Sequence, residues 1–484
     1  MSALREGAAL KILTPDFKCR QFITMNIDNI NLREHRQKLG LSQAKLAELT
    51  GISQHILSAF ELGKAPMSQA MLTRVFDTIS NLESVNTTVS RPKRYRAHTY
   101  TAANVIPERV AKASLTPGNA SYKSELDSIF ARHNNEKNNN LSAVSLFSGC
   151  GGFSLGFSAA GFKIKGFVEK ESALREIYKL NFPDSVEIGS DITSVTKESL
   201  DSFSASLGTV DVIIGGPPCQ GFSLSGKREV TDPRNMLFKH YLRFVDAFKP
   251  KFAVLENVRL LTSMKNADGG FVKDDIRREF KNHGYRVEYF EVNAKNFGVP
   301  QHRDRVIFIA VRHDVDFVPS MPEPTHKDNV DLFSGFEKVR TFADACSDLP
   351  FIESGEKSEV HLHEAVKHPS HVVDWLWDVQ EGFSAHDNED VTKRPPSGYN
   401  TTYKRQVWEK PGATVQTTFG MISGCNNVHP IATRSLTIRE ASRLQSFPDG
   451  YKFEGTLGAI RTGIGNAVPP MLAYKIAKHL IEND

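Results

Sequence analysis

The sequence predicts a doubly wound α/β domain, interrupted by a smaller irregular domain and preceded by an all-α unit. Three observations predict it. From Ala143 onward, short apolar runs alternate with helical patterns, the texture of a sheet covered by helices on both faces. From about Phe317 to Ile431 the alternation gives way to a stretch rich in Pro, Gly, His and Ser. Residues 27–85 carry apolar positions at helical spacing, punctuated by capping residues and glycines.

The chain has 484 residues, 40% of them hydrophobic and 24% charged, and no apolar run approaches a membrane span. The N-terminal "MSALREGAALKILTPDFKCR" lacks the apolar core of a signal peptide. Five scattered cysteines (Cys19, Cys150, Cys219, Cys346, Cys425) contain no CxxC pair. This usage fits a reducing cytoplasm and excludes a disulfide scaffold or a cysteine-rich zinc module. The net charge of +4 is uneven: residues 1–140 hold 19 Lys+Arg against 12 Asp+Glu, and the remainder hold 41 against 44. A polyanion partner for the N-terminal part would account for this, as would solvated surface charge alone.

In chain order, residues 27–85 form the first unit. Ser42 caps a helix closed by Gly51, and Ser53 caps the next, ended by Gly63. "LSQAKLAELTGIS" resembles the Cro/repressor type of helix-turn-helix, whose second helix enters the major groove. That helix would present Gln54, His55 and Ser58; the alternative is a helical hairpin used for packing or dimerisation. Residues 86–140 read as a linker, with a basic run "RPKRYR" (91–96) and a polar tract "HNNEKNNN" (133–140) that has little to bury. The α/β domain then occupies 141–317, the irregular domain 318–431, and the α/β domain closes over 432–484. Its strands are "AVSLF", "FKIKGFVE", "DVII", "FAVLEN" and "RVIFIAV"; its helices include "ALREIYKLNF", "NMLFKHYLRFVDAF" and "DDIRREFKNHG".

Chemistry concentrates at the strand ends, where open α/β sheets bind ligands. After the first strand, "SLFSGCGGFSLGF" places glycines at 149, 151 and 152 before a helix N-terminus. The spacing departs from GxGxxG because Ser154 holds the third position. Glu169 ends the second strand, where a ribose-binding acid is expected, and Asp191 follows a short third strand. "DVIIGGPPCQGFSLSGK" carries Cys219 on a turn stiffened by Pro217 and Pro218, as an exposed and directed thiol requires. "LENV" brings Glu256 and Asn257 to the same edge, and "QHRDR" supplies Gln301, Arg303 and Arg305. A thiol, a carboxylate and an arginine together would suit covalent activation of an electron-poor ring. His361, His363, His368 and His371 lie close in sequence but match no zinc spacing, so no metal is expected.

The motifs "LFSGCGGFSLGF", "VEKESALREIYKLNFP", "GSDIT", "GGPPCQGFS", "LENV", "QHRDR", "REASRLQSFPDGY" and "IGNAVPP" occur in this order. Together they resemble the DNA cytosine-5 methyltransferases, whose bacterial members work in restriction-modification systems and some of which carry an N-terminal helix-turn-helix. The resemblance implies a Rossmann-like, S-adenosylmethionine-dependent catalytic domain, with 318–431 as the target-recognition domain. It implies a catalytic set of Cys219, Glu256, Arg303 and Arg305, with the Pro217 carbonyl accepting from the cytosine amino group. It implies cofactor contacts from Phe147, Gly149, Gly151, Gly152, Glu169, Asp191, Ile192, Pro218, Asn466 and Val468. DNA contacts would come from Gln220, Ser223 and Ser225 in the loop after the cysteine, and from Arg405 and Thr414 around "WEKPGATVQTTFG". The target cytosine would be flipped out of double-stranded DNA. Implied partners are a restriction endonuclease and the gene's own promoter, with a catalytic monomer that dimerises, if at all, through the helix-turn-helix. RNA methylation, or a regulator with a vestigial catalytic domain, are the alternatives.

Overall fold

The computed structural model describes residues 32–62, 67–86, 120–135, 141–218, 237–266, 269–331 and 334–483. The basic run 91–96, Gly63 and residues 219–236 lie outside them.

In the N-terminal unit, helices Leu32–Lys38, Gln43–Thr50, Gln54–Glu61 and Gln69–Asn86 enclose Leu32, Leu46, Ile52, Leu57, Val75 and Ile79. Ser42 caps as the sequence implies, its hydroxyl accepting from the Lys45 amide at 3.0 Å. Gly51 closes that helix at φ +65°, where a side chain would be strained. Ser53 departs from expectation: it precedes the next helix but makes no side-chain capping bond.

The second unit is built on a seven-stranded sheet: β1 Ser142–Leu146, β2 Lys163–Val168, β3 Val186–Gly189, β4 Val212–Gly215, β5 Phe252–Val258, β6 Tyr285–Asn293 and β7 Asp304–Arg312. Their order is β3-β2-β1-β4-β5-β7-β6. The first five are parallel and β7 runs antiparallel to both neighbours. Side chains alternate along β1, β4, β5 and β7. Ala143, Ile214, Val254, Ile307 and Ile309 enter one hydrophobic layer, while Val144, Leu146, Ile213, Leu255 and Phe308 enter the other. The sheet is therefore apolar on both faces, as parallel sheets must be. β6 was not among the strands expected from sequence. It is an edge strand whose Arg286, Glu288 and Glu291 interrupt the apolar signal.

Two domain boundaries shift. Residues 120–134, expected to be linker, form the helix Ala120–Asn134, and its Tyr122, Leu126 and Ile129 are each 2% exposed. These three share one face and join the core of the sheet domain. Tyr122 donates to the Arg443 carbonyl at 2.6 Å. His133 lies between the Ser158 hydroxyl at 2.7 Å and the Asn181 carbonyl at 3.0 Å, so the start of the "HNNEKNNN" tract is part of the fold. The second shift concerns 318–431. It is irregular as expected, but Phe342, Ala345, Trp408, Val415 and Phe419 share the sheet domain's core. Only a small cluster of Val372, Leu376, Val379, Ala385, Ile422 and Val428 is its own.

Leu126→Ala should therefore destabilise the sheet domain by about 2–4 kcal/mol, as for a buried leucine, measured by urea unfolding. An effect near zero would mean the helix is an appendage.

Candidate active site

The carboxyl ends of β1, β2, β4 and β5 meet at one edge of the sheet. β4 stops at Gly215, and Gly216 passes so close to Glu256 that a Cβ there would stand 3.1 Å from the carboxylate Oε2. Pro217 is buried and Pro218 exposed. The Asn257 side chain donates to the Pro217 carbonyl at 2.9 Å and accepts from the Val258 amide at 2.8 Å. The turn leading to the cysteine is thus pinned to β5 one residue beyond Glu256. The Pro217 carbonyl, expected to be free for a ligand, already accepts one bond. Cys219, Gln220, Ser223 and Ser225 lie outside the described residues.

Glu256 sits opposite Ile307 and Val258 opposite Arg305 across the β5–β7 ladder. Glu256 and Arg305 are thus diagonal neighbours on one face, and they form an ion pair with Nε to Oε1 at 2.6 Å, with side chains 10% and 14% exposed. A charge-assisted bond of this length fixes both groups.

Arg303, grouped above with the catalytic residues, does something else. It is 1% exposed and donates to three backbone carbonyls: Val415 at 3.2 Å, Gly465 at 3.0 Å and Ala467 at 2.9 Å. Burial pushes its guanidinium pKa well down and the Arg305 charge adds to this, with Glu256 opposing. Arg303 faces inward, to the seam where residues 415 and 465–467 meet the start of β7. Gln301 reinforces the seam, accepting from the Val415 amide at 2.9 Å and donating to Leu444 and Gln445. Gln445 in turn donates to the Ile464 carbonyl at 2.6 Å. It was overlooked in sequence because "RLQSF" reads only as a helix end. Thr414, expected to face DNA, donates to the His302 carbonyl at 2.7 Å.

The loop after β1 is held in unusual backbone conformations: Phe147 at φ +54°, Gly149 at +56° and Gly151 at +94°. A non-glycine residue there is strained. The glycines differ in purpose. A Cβ on Gly151 would stand 2.5 Å from the Tyr451 hydroxyl, and one on Gly152 2.5 Å from the Val468 carbonyl, whereas one on Gly149 meets nothing within 4 Å. Gly151 and Gly152 are therefore required by packing within the protein, and Gly149 alone leaves open space. Glu169 is 7% exposed, accepting from the Gly149 amide at 2.7 Å and the Glu171 amide at 2.9 Å. Burial pushes its pKa up despite those amides. Asp191 closes its own turn, one oxygen accepting twice from Thr193 and the other 3.2 Å from Lys170. Ile192 is 3% exposed, in the second core layer. Asn466 is exposed at the end of its helix and Val468 buried. Cys150 is a packing residue, its thiol pushed up to about 12 by burial.

In the recognition region Arg405 is 1% exposed and donates to the carbonyls of Leu376, Val379, His429, Ile431 and Ala432. Its donors, expected from the sequence to meet DNA, face these interior carbonyls. His363 and His429 are buried around the ion pair of Arg434 with Glu440 at 2.7 Å, and His368 bonds Ser435. Among the described residues no His, Cys, Asp and Glu group assembles that could hold a metal ion. In the N-terminal unit Gln54 and His55 are exposed and Ser58 half-buried. No described helix is long and apolar enough to cross a membrane.

Residues 141–482 match the family model of C-5 cytosine-specific DNA methylases. The chain belongs to this family. It is a DNA cytosine methyltransferase, and residues 32–79 match a helix-turn-helix family model. The Type II methyltransferase M.DdeI of Desulfomicrobium norvegicum is 37% identical, the match covering 70% of this chain and 88% of that one. M1.HphI of Haemophilus parahaemolyticus is 38% identical, covering 71% and 87%. The crystal structure of a DNA modification methyltransferase encoded within an E. coli prophage is 26% identical with a TM-score of 0.54, covering 71% and 99%.

The two arginines of "QHRDR" should separate by phenotype. Arg303→Met should destabilise the fold by at least about 2 kcal/mol, because the buried Val415 and Gly465 carbonyls lose a donor; Arg305→Lys, which keeps a cation beside the buried Glu256 carboxylate, should leave the urea midpoint nearly unchanged and sharply lower methyl transfer. Acid sensitivity should come from the buried histidines. Burial lowers the pKa of His363 and His429, and that of His368 from 6.5 to about 4. The folded chain then binds fewer protons than the unfolded chain between these values, so stability is full above pH 6.5 and falls as pH drops toward 4. Melting temperature against pH tests this, with His368→Asn flattening the decline.

Proposed function

We propose that this chain methylates C5 of a cytosine flipped out of double-stranded DNA, through covalent attack by Cys219. The observation that carries the proposal is the Glu256–Arg305 pair at 2.6 Å, beside the pinned turn that enters the cysteine loop. Cytosine C5 is a poor nucleophile, so addition of a thiolate to C6 is needed to make it an enamine. Glu256 would direct Oε2, the oxygen not bonded to Arg305, at protonated N3, and Arg305 would donate to O2. The second lone pair of the Pro217 carbonyl would accept from the amino group. Once C5 carries the methyl group, loss of the C5 proton and expulsion of Cys219 would restore the ring. A stacked base cannot be reached in this way, which is why flipping is part of the proposal. Gln220, Ser223 and Ser225 would contact the DNA backbone around the flipped base.

S-adenosylmethionine supplies an electrophilic methyl carbon when bound. The residues present fit it: Gly149 leaves open space before a helix N-terminus, and Glu169 is the buried acid at the end of β2. Phe147, Gly149, Glu169 and Asn466 would hold it, with Gly151, Gly152 and Val468 shaping the wall and Pro218 at its edge. Asp191 would reach adenine only by leaving Lys170, and Ile192 would act through packing.

Gln54, His55 and Ser58 would touch DNA through the helix-turn-helix, where binding at the gene's own promoter would regulate expression. A cognate restriction endonuclease would be the functional partner, as in the systems to which Type II methyltransferases belong. The test is base-resolution methylation sequencing of genomic DNA from cells expressing the wild type, Cys219→Ala, or a chain lacking residues 1–90. A short motif methylated by the wild type and the truncated chain, and lost in Cys219→Ala, is the expected result. Methylation surviving Cys219→Ala would sink the covalent route. Absence of any DNA motif would favour an RNA substrate.

A further inference from the structure

A seam joins the catalytic and recognition segments. The Leu457–Asn466 helix places Arg461 and Gly465 one turn apart on the same face. A Cβ on Gly465 would stand 2.4 Å from the Thr417 amide nitrogen, and one on Gly420 would stand 2.6 Å from the Arg461 Nε. That helix face therefore lies along residues 416–420 in near-contact. At Gly465 the seam is closed by Arg303, which bonds the Gly465 and Val415 carbonyls. Arg303 precedes by two residues the Arg305 paired with Glu256.

Arg461 is half-buried, and its Nε is sealed from water with no hydrogen-bond partner among the described residues. Other arginines of the same C-terminal segment hold carboxylates: Arg434 with Glu440, Arg439 with Asp449, Arg443 with Asp348 and Asp449. Arg461 has no such ion pair among the described residues, and neither 411–420 nor 455–466 contains an Asp or Glu. In the facing segment 416–420, Gln416 and Thr418 are exposed and offer neutral donors. A planar, permanently charged fork that is partly desolvated and unpaired is a site for a bidentate anion.

We infer that Arg461 binds a phosphodiester of the DNA backbone near the target cytosine, clamping the strand where the recognition segment meets the catalytic C-terminal helix. The inference rests on DNA being the substrate. It adds a backbone contact that orients the duplex without reading its sequence.

The test is steady-state methyl transfer to plasmid DNA by the full chain and its Arg461→Met and Arg461→Lys variants, at KCl concentrations from about 50 to 200 mM. Removing one phosphate contact should make the slope of log(kcat/KM) against log salt shallower by about 0.9, so that over this fourfold range the wild type loses about 3.5-fold more than Arg461→Met. The loss should fall on KM for DNA, with kcat and the methylated motif unchanged, and Arg461→Lys should keep the wild-type slope. A wild-type slope in Arg461→Met, whatever its stability, would overturn the inference. So would a change of motif with the slope intact. If the wild type methylates no DNA at any salt, the proposed function falls and this inference with it; DNA methylation with an unchanged slope removes this inference alone.

Discussion

The seam behind the candidate site turns on one buried guanidinium. Arg303 places a guanidinium among the carbonyls of residues 415, 465 and 467. Three stretches far apart in the chain meet there: the start of β7, the threonine segment around residue 415, and the glycine-containing run before the last helix. Each also sends apolar residues into the core, among them Val415, Ile464 and Ile307. Carbonyls buried without a donor are costly, so the guanidinium both requires their convergence and rewards it. Two residues on, Arg305 emerges from the same backbone to meet Glu256. The Glu256–Arg305 pair, set by the β5–β7 ladder, thus lies two residues from this lock.

The loop after β1 shows a comparable division between support and contact. Tight packing against Tyr451 and Val468 demands Gly151 and Gly152, which ties the loop to the C-terminal segment. With those two fixed, Phe147 is held at positive φ and Gly149 remains open to a ligand. Strain at Phe147 is sustained because its surroundings over-determine it.

Much of this was legible in the sequence. The strands β1, β2, β4, β5 and β7 are short runs of β-branched and aromatic residues between turn signals, and their motifs sit at the strand ends where the fold needs them. The helix-turn-helix was legible through Ser42 and Gly51. What escaped reading is tertiary in origin. The Ala120–Asn134 helix has three deeply buried apolar residues among polar ones, and nothing local shows that a sheet domain waits to receive them. Arg303 and Arg405 look like ligands because they are arginines in polar segments; their inward direction is set by carbonyls contributed from elsewhere in the chain. Asp191 reads as an adenine contact until Thr193 and Lys170 are seen to occupy it.

Arg405 carries a wider implication. Its five carbonyl bonds tie residues 376–379 to residues 429–432, and six residues before it Tyr399 is 78% exposed. An interior side chain that gathers five carbonyls supports this region from within, so substitution at outward residues such as Tyr399 leaves that support in place.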